Sequence, residues 1–304
     1  MAQTVLLVGA TGMLGGRIAH HLLLQPDTTV RLLVRAADTP ARLAALRPLR
    51  DQGAQLIVGD LADTASLDRA TQEIDVIISA VQGGPEVIVG GQVALAQSGA
   101  RQGVRRMLPS DYALDLFNAT PGEHAMFDLR RTADEQIAAT GIEQVNVLQG
   151  AFMEMFAPGA GVFDYDAGTV SFWGDGRQLI DATSVEDTAR MVARVALDLG
   201  VPAGKFAFAG DRISLLDAAR VIEHQTGQPF ALHSLGSEAE LRAAHTAALQ
   251  DTSNPYASVM LAYQLYMLTG QTNLTHLQND RYPDMPLETF TQFAARALPH
   301  TSVA

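Results

Sequence analysis

The chain has 304 residues, of which 47% are hydrophobic and 18% charged, enough for one large domain or for a full domain carrying a smaller lobe. Its formal net charge of −12 argues against direct nucleic-acid binding, which needs a concentrated basic footprint for phosphates. Cysteine is absent, which excludes disulfides, thiolate metal sites and cysteine catalysis.

In chain order, residues 4–8 are an apolar run expected as a first strand, followed by a glycine turn and a helix-like stretch at 14–24. Further strands are expected at 30–34, 55–58, 75–80 and 105–108, with a helix at 40–50 and the clearest helical pattern at 87–102. Continuous apolar strands separated by helices are what a parallel sheet covered on both faces requires. Thr120-Pro121-Gly122-Glu123 then has the form of a capping box with proline at the first helical position. From there Met126, Leu129, Ala133 and Ile137 recur on one helical face until Gly141 ends the helix. Residues 145–148 read as a sixth strand, and the glycine- and aromatic-rich stretch 158–176 as loops or a small lobe. Thr183-Ser184-Val185-Glu186 reads as a second capping box, opening a helix to about residue 199. The remainder is mostly helical, with short strands such as 206–209 and 230–233.

The fold class implied is α/β, a Rossmann-type doubly wound parallel sheet with a smaller C-terminal substrate lobe. Residues 1–152 are expected to form the nucleotide-binding domain, with 178–210 returning to it, and 153–304 the smaller, mainly helical lobe. No apolar run approaches the roughly 20 residues of a bilayer span, and the start lacks the basic-then-apolar pattern of a signal peptide. A cytoplasmic protein without membrane or nucleic-acid partners is therefore expected, acting on a small molecule.

The strongest local signal is Gly9-Ala10-Thr11-Gly12-Met13-Leu14-Gly15, a G-x-x-G-x-x-G run between a strand and a helix. Glycine lets the chain turn sharply and lets backbone amides approach a pyrophosphate, which the positive end of the following helix also attracts. Gly15 permits close helix–strand packing. NAD sites usually place an acidic residue about 20 positions after the last glycine. Here that place holds Arg35, whose fork suits a ribose 2′-phosphate, with Arg42 on the next helix able to assist. NADP(H) is the expected cofactor. Asp60, followed by Leu61, either accepts the adenine amino group or caps the helix beginning near Thr64. Ser79, Ala80, Val81 and Gln82 end the fourth strand, at the carboxyl edge where open α/β sheets bind ligands. The histidines are scattered and the acidic residues show no liganding spacing, so no metal site is expected.

With these pieces in place, the chain resembles the NmrA-like family of atypical short-chain dehydrogenases, closest to the isoflavone reductase and phenylcoumaran benzylic ether reductase group. The resemblance is carried by the glycine loop at 9–16, Arg35, Asp75-Val76-Ile77-Ile78-Ser79-Ala80 and Leu108-Pro109-Ser110-Asp111-Tyr112. Gly150-Ala151-Phe152, Trp173-Gly174-Asp175-Gly176 and the segment 183–187 are also similar, and the likeness covers roughly 4–200. It implies a Rossmann domain, NADPH and a C-terminal lobe over the nicotinamide. Reductases of the group carry a lysine near the start of the helix after the Pro-Ser turn. Counting back from Gly141, the matching residue here is Arg130.

Arginine stays charged and cannot act as a general base. It can hold a substrate carboxylate or stabilise charge on a carbonyl oxygen; the alternative is a helix-surface arginine paired with Asp134. A Tyr-x-x-x-Lys pair is impossible, because the one lysine, Lys205, has Val201 four residues before it. Tyr112 and His124 are the other proton-handling candidates, each weighed against a packed tyrosine or a solvated histidine. Two functions follow: an NADPH-dependent reductase of a small aromatic, enone or quinone-like substrate, or a non-catalytic NADP(H)-binding redox sensor.

Overall fold

The apolar runs of the first half pair side by side in one sheet. In the computed structural model, which describes residues 2–35, 39–251 and 253–298, these are β1 (Gln3–Val8), β2 (Thr28–Val34), β3 (Gln55–Val58), β4 (Val76–Ser79), β5 (Arg106–Leu108) and β6 (Glu143–Leu148). Their order across the sheet is 3-2-1-4-5-6, with a seventh strand, Gly204–Ala207, beyond β6. The pairs β1–β2, β1–β4, β2–β3, β4–β5 and β5–β6 are all parallel. This is the doubly wound Rossmann order. The connecting helices are α1 (Met13–Leu23), α2 (Pro40–Ala45), α3 (Arg47–Asp51), α4 (Thr64–Ala70), α5 (Gln92–Arg101), α6 (Ala125–Ala138) and α7 (Val185–Leu197). Leu6, Val8, Ile77 and Met107 of the strands pack with Leu67, Leu95, Ala133 and Ile137 of the helices in one core.

The chain forms two compact units, one of Met1–Tyr112, Leu129–Val147 and Thr188–Phe206, the other of Ala113–Asp128, Leu148–Asp187 and Ala207–Ala304. Residues 113–128 and 148–152 thus belong to the second unit, and the segment returning to the first is 188–206. The second unit carries β7 (Ala151–Phe152), β8 (Phe163–Asp164), β9 (Thr169–Phe172) and β10 (Ile180–Thr183). After Gly204–Ala207, which is β11, come β12 (Asp211–Ile213), α8 (Leu215–Thr226), β13 (Ala231–Ser234), α9 (Glu238–Gln250), α10 (Pro255–Thr269) and α11 (Phe290–Ala297). Its strands make two small sheets, β12-β10-β7 and β13-β9-β8, so strands contribute alongside the expected helices.

Several local expectations are corrected. The helix expected at 40–50 is broken at Leu46, because Pro48 in the first turn of α3 has no N–H to continue the ladder. The pattern at 87–102 opens with a π-helical turn, Glu86–Gly91, before α5. The capping box at 120–123 does not form: Gly122 adopts φ +85°, and Glu123 N–H closes a turn on the Thr120 carbonyl at 3.2 Å. Instead α6 starts at Ala125 and the His124 ring Nδ1 accepts the Phe127 N–H at 3.2 Å. At α7 the cap lies one residue later than expected, with Ser184 Oγ accepting the Asp187 N–H at 3.1 Å. The buried face of α6 also differs from the apolar stripe: it is Phe127, Arg130, Ala133, Asp134 and Ile137.

Candidate functional site

Gly9 ends β1 with φ +94°, and a Cβ built on it would stand 2.2 Å from the Ala80 carbonyl oxygen. The loops leaving β1 and β4 are therefore in backbone contact. These two strands flank the point where the strand order reverses, and ligands of open α/β sheets bind outside the carboxyl ends at that point. A Cβ on Gly15 would lie 2.2 Å from the Gly9 carbonyl oxygen, so α1 packs directly on its own loop. Gly12 donates to that same oxygen at 2.9 Å. No side chain caps α1 and no acidic residue lies in its first turn. The first-turn amides and the positive end of the helix dipole are thus offered to an anion. Thr11 and Met13 are exposed beside them and Leu14 is half-buried.

Arg35 is exposed at the end of β2, and Arg42 is exposed on α2, whose cap is Thr39 Oγ1 receiving the Arg42 N–H at 3.3 Å. For Asp60 the helix-capping alternative is overturned: Asp63 caps α4 by accepting the Ala65 N–H at 3.0 Å. Asp60 Oδ1 instead accepts the Ala62 N–H at 2.9 Å in a turn, leaving an exposed carboxylate beside half-buried Leu61.

Ser79 is fully buried at the end of β4, and its Oγ has no hydrogen-bond partner among the described residues. Ala80 and Val81 are half-buried and Gln82 is exposed. From this loop a polar chain runs inward. Ser110 Oγ donates to the Val81 carbonyl at 2.8 Å, Ser110 N–H donates to Gln92 Oε1 at 2.9 Å, and Arg130 Nε donates to the Ser110 carbonyl at 3.0 Å. Ser110 therefore ties the β4 loop, the start of α5 and the Arg130 side chain together. Arg130 is buried, which removes the helix-surface alternative. Its Nε is the guanidinium nitrogen that bonds to the protein, and the terminal nitrogens retain donors of fixed geometry.

Behind Arg130 lies a buried acid cluster that the sequence reading passed over. Asp111 Oδ2 accepts from Asn146 Nδ2 at 2.8 Å, and Asp134 Oδ1 accepts from Gln144 Nε2 at 2.9 Å. Burial pushes Asp134 up to about 9, helped by the Asp111 charge, and Asp111 up to about 6. The available signal was in β6, where Gln144 and Asn146 alternate with Val145 and Val147 in a strand buried on both faces. Tyr112 lies beside this cluster with its hydroxyl buried and without a partner among the described residues. Burial and then the Asp111 charge raise that hydroxyl well above the usual phenol range.

His124 belongs to the second unit and is fully buried, which overturns the solvated alternative. Its ring stacks on Phe127 at 3.8 Å and meets Tyr263 edge-on at 4.3 Å. Because Nδ1 accepts the Phe127 N–H, the ring proton is assigned to Nε2. Tyr266, also in this aromatic group, donates to Glu123 Oε2 at 3.2 Å. Among the described residues no group of three or more His, Asp or Glu side chains could hold a metal. No helix among them is long and apolar enough to cross a membrane.

Strand order and glycine loop define a Rossmann-type α/β protein. The chain belongs to the NmrA-like family, whose profile matches residues 1–257. It is 28% identical over 161 residues to a phenylcoumaran benzylic ether reductase of Ginkgo biloba, a match spanning 52% of this chain and 52% of that relative's length. Among solved structures, leucoanthocyanidin reductase of Vitis vinifera in binary complex with NADPH superposes with a TM-score of 0.80 at 20% identity, over 96% of this chain and 98% of that one. An NADPH-dependent quinone oxidoreductase of Escherichia coli superposes at 0.75 with 20% identity, over 96% and 98% of the two chains. At these identities the structural likeness is one of fold.

Proposed function

We propose that this protein is an NADPH-dependent reductase delivering hydride to a small aromatic, enone or quinone-like acceptor, with Arg130 holding the acceptor's oxygen. The cofactor reading is supported by three features of the chain. Gly9 lets the β1 and β4 loops meet at the switch point, α1 offers an uncapped positive end without acidic residues, and Ser79 holds a buried hydroxyl without a partner among the described residues at the same edge. In this reading Gly9, Thr11, Gly12, Met13, Leu14 and Gly15 cradle the pyrophosphate. Arg35, assisted by Arg42, grips the 2′-phosphate, while Asp60 and Leu61 take the adenine end. Ser79, Ala80, Val81 and Gln82 border the nicotinamide half. The bound cofactor supplies the hydride itself. The proteins of similar fold include a leucoanthocyanidin reductase in complex with NADPH and an NADPH-dependent quinone oxidoreductase.

The observation that carries the reading is Arg130, tethered by one nitrogen to the Ser110 carbonyl, while Ser110 itself holds the β4 loop. The remaining guanidinium donors can stabilise negative charge forming on a carbonyl oxygen as hydride adds to the carbon framework. Arginine cannot give up a proton near neutral pH, so the proton completing the reduced product comes from solvent. A quinone-like acceptor needs little acid–base help, which favours it among the three classes.

The second reading, a non-catalytic NADP(H)-binding redox sensor of the same family, is favoured by a different observation. Neither of the two other proton-handling candidates is arranged as a donor: the Tyr112 hydroxyl is buried and the His124 ring caps α6. Multiple turnover separates the two. Given NADPH and a panel of quinones, aryl aldehydes and enones, a reductase oxidises the cofactor catalytically, and Arg130→Ala slows it by about 10-fold or more. Silence across the panel with NADP(H) binding retained supports the sensor instead.

A further inference from the structure

The buried acids behind Arg130 are unequal in number to the cation they face. Asp111, on the loop after β5, is 1% exposed, and Asp134, one helical turn beyond Arg130 on α6, is 5% exposed. The Asn146 amide from β6 donates to Asp111 at 2.8 Å and also favours the Asp134 anion. Gln144, two residues earlier on β6, reaches Asp134 Oδ1. The second oxygen of Asp134, Oδ2, is buried and has no partner among the described residues. A carboxylate oxygen buried without a donor is a costly arrangement, and protonation removes its charge. Asp111 Oδ2 receives the Asn146 amide, while the Arg130 charge favours the anion of either acid.

We propose that Asp111 and Asp134 hold a single proton between them, carried by Asp134, and that this neutral acid is a positioning residue for Arg130. The proposal rests on the role given to Arg130 above and deepens it. With one proton retained, the cluster is one carboxylate and one guanidinium, electrically neutral in a water-poor interior. With both acids ionised, an extra anion sits one helical turn from Arg130 and draws the guanidinium toward it, away from the oxygen it serves. The surrounding groups are consistent with this assignment. Glu135 on α6 adds a further negative charge near Asp134, favouring its neutral form. Tyr112, beside Asp111, is held neutral by burial and by that anion. From β6 the facing groups, Gln144 and Asn146, are uncharged, and Arg106 of β5 is paired with Glu143. Burial raises both acids, and of the two it is Asp134 that keeps a buried oxygen without a partner among the described residues.

Two measurements need neither substrate nor cofactor. In wild-type protein labelled with 13Cγ-aspartate, the resonance of one buried carboxyl keeps its protonated position through neutral pH and titrates at about 9, and Asp134→Asn removes it. All aspartates being ionised at neutral pH overturns the proposal. The sign of the stability effect follows from a folded value raised above the ordinary 3.8. The native state keeps a proton that the unfolded chain has lost, so this contribution is full below 3.8 and declines as pH rises toward about 9. Asp134→Asn abolishes that decline, so its Tm climbs relative to wild type across the window, by about 2–4 °C or more; a constant difference counts against the assignment. The positioning role is read separately. The affinity of the protein for an Arg130-dependent ligand, or kcat/KM where turnover is found, falls on the alkaline side in wild type. In Asp134→Asn that limb is gone, and a limb retained in the variant shows that Asp134 does not act through Arg130. If the reductase reading fails, the resonance and Tm measurements still decide where the proton lies.

Discussion

At Gly9 one added methyl group meets the Ala80 carbonyl oxygen at 2.2 Å, and the backbone angle of +94° is one that side chains rarely adopt. Neither carbonyl nor strand can move without opening the β1–β4 pairing, so Gly9→Ala is expected to cost about 2–4 kcal/mol in chemical denaturation. An unchanged midpoint would show that the two loops are not in contact. Arg35, exposed at the end of β2, makes a test of a different kind, read in binding rather than in stability. Arg35→Asp is expected to weaken NADP(H) binding by about 10-fold or more, through a lost charged hydrogen bond and new repulsion, while NADH changes little. Equal loss for both nucleotides in a fluorescence titration would remove Arg35 from the 2′-phosphate.

At the scale of elements, α6 shows what an apolar pattern conveys and what it hides. Ala133 and Ile137 were visible as core positions, but the same face also buries Arg130 and Asp134, which a search for apolar residues counts as solvent-facing. The reason becomes visible only across the sheet, where Ser110, Gln144 and Asn146 bring partners to that face. The start of the helix was misplaced for a related reason: the Thr-Pro-Gly-Glu string has capping chemistry, yet Gly122 in the left-handed region breaks the helix before it starts. At the other end of the sheet, Arg106 is fully buried on β5 and donates to the carbonyls of Val195, Asp198 and Val201 at 3.1, 2.7 and 2.6 Å. It also pairs with Glu143, binding the last turn of α7 to the sheet. Arg106→Met is expected to cost about 3 kcal/mol, the low end for a broken buried pair, because Glu143 remains 24% exposed. Faster amide exchange in the last turn of α7 should accompany the loss. An unchanged Tm would mean that the carbonyls find other donors at no cost.

Across the whole molecule, the strand sequence of the first unit and its glycine loop were legible because a parallel sheet imposes continuous apolar runs, and a tight turn at a switch point imposes glycine. The interleaving of the two units was not, because segments 113–128 and 188–206 join their units through contacts remote in sequence. The acid cluster was hidden likewise, being assembled from a loop, a helix and a strand. Central to the account is that the sheet's switch point receives a dinucleotide bearing a 2′-phosphate. Titration calorimetry of the folded wild-type protein with NADPH and NADH tests this most directly. The account predicts a one-to-one exothermic isotherm for NADPH and binding at least about 10-fold weaker for NADH. Absence of heat with both nucleotides, from protein shown to be folded, would contradict it.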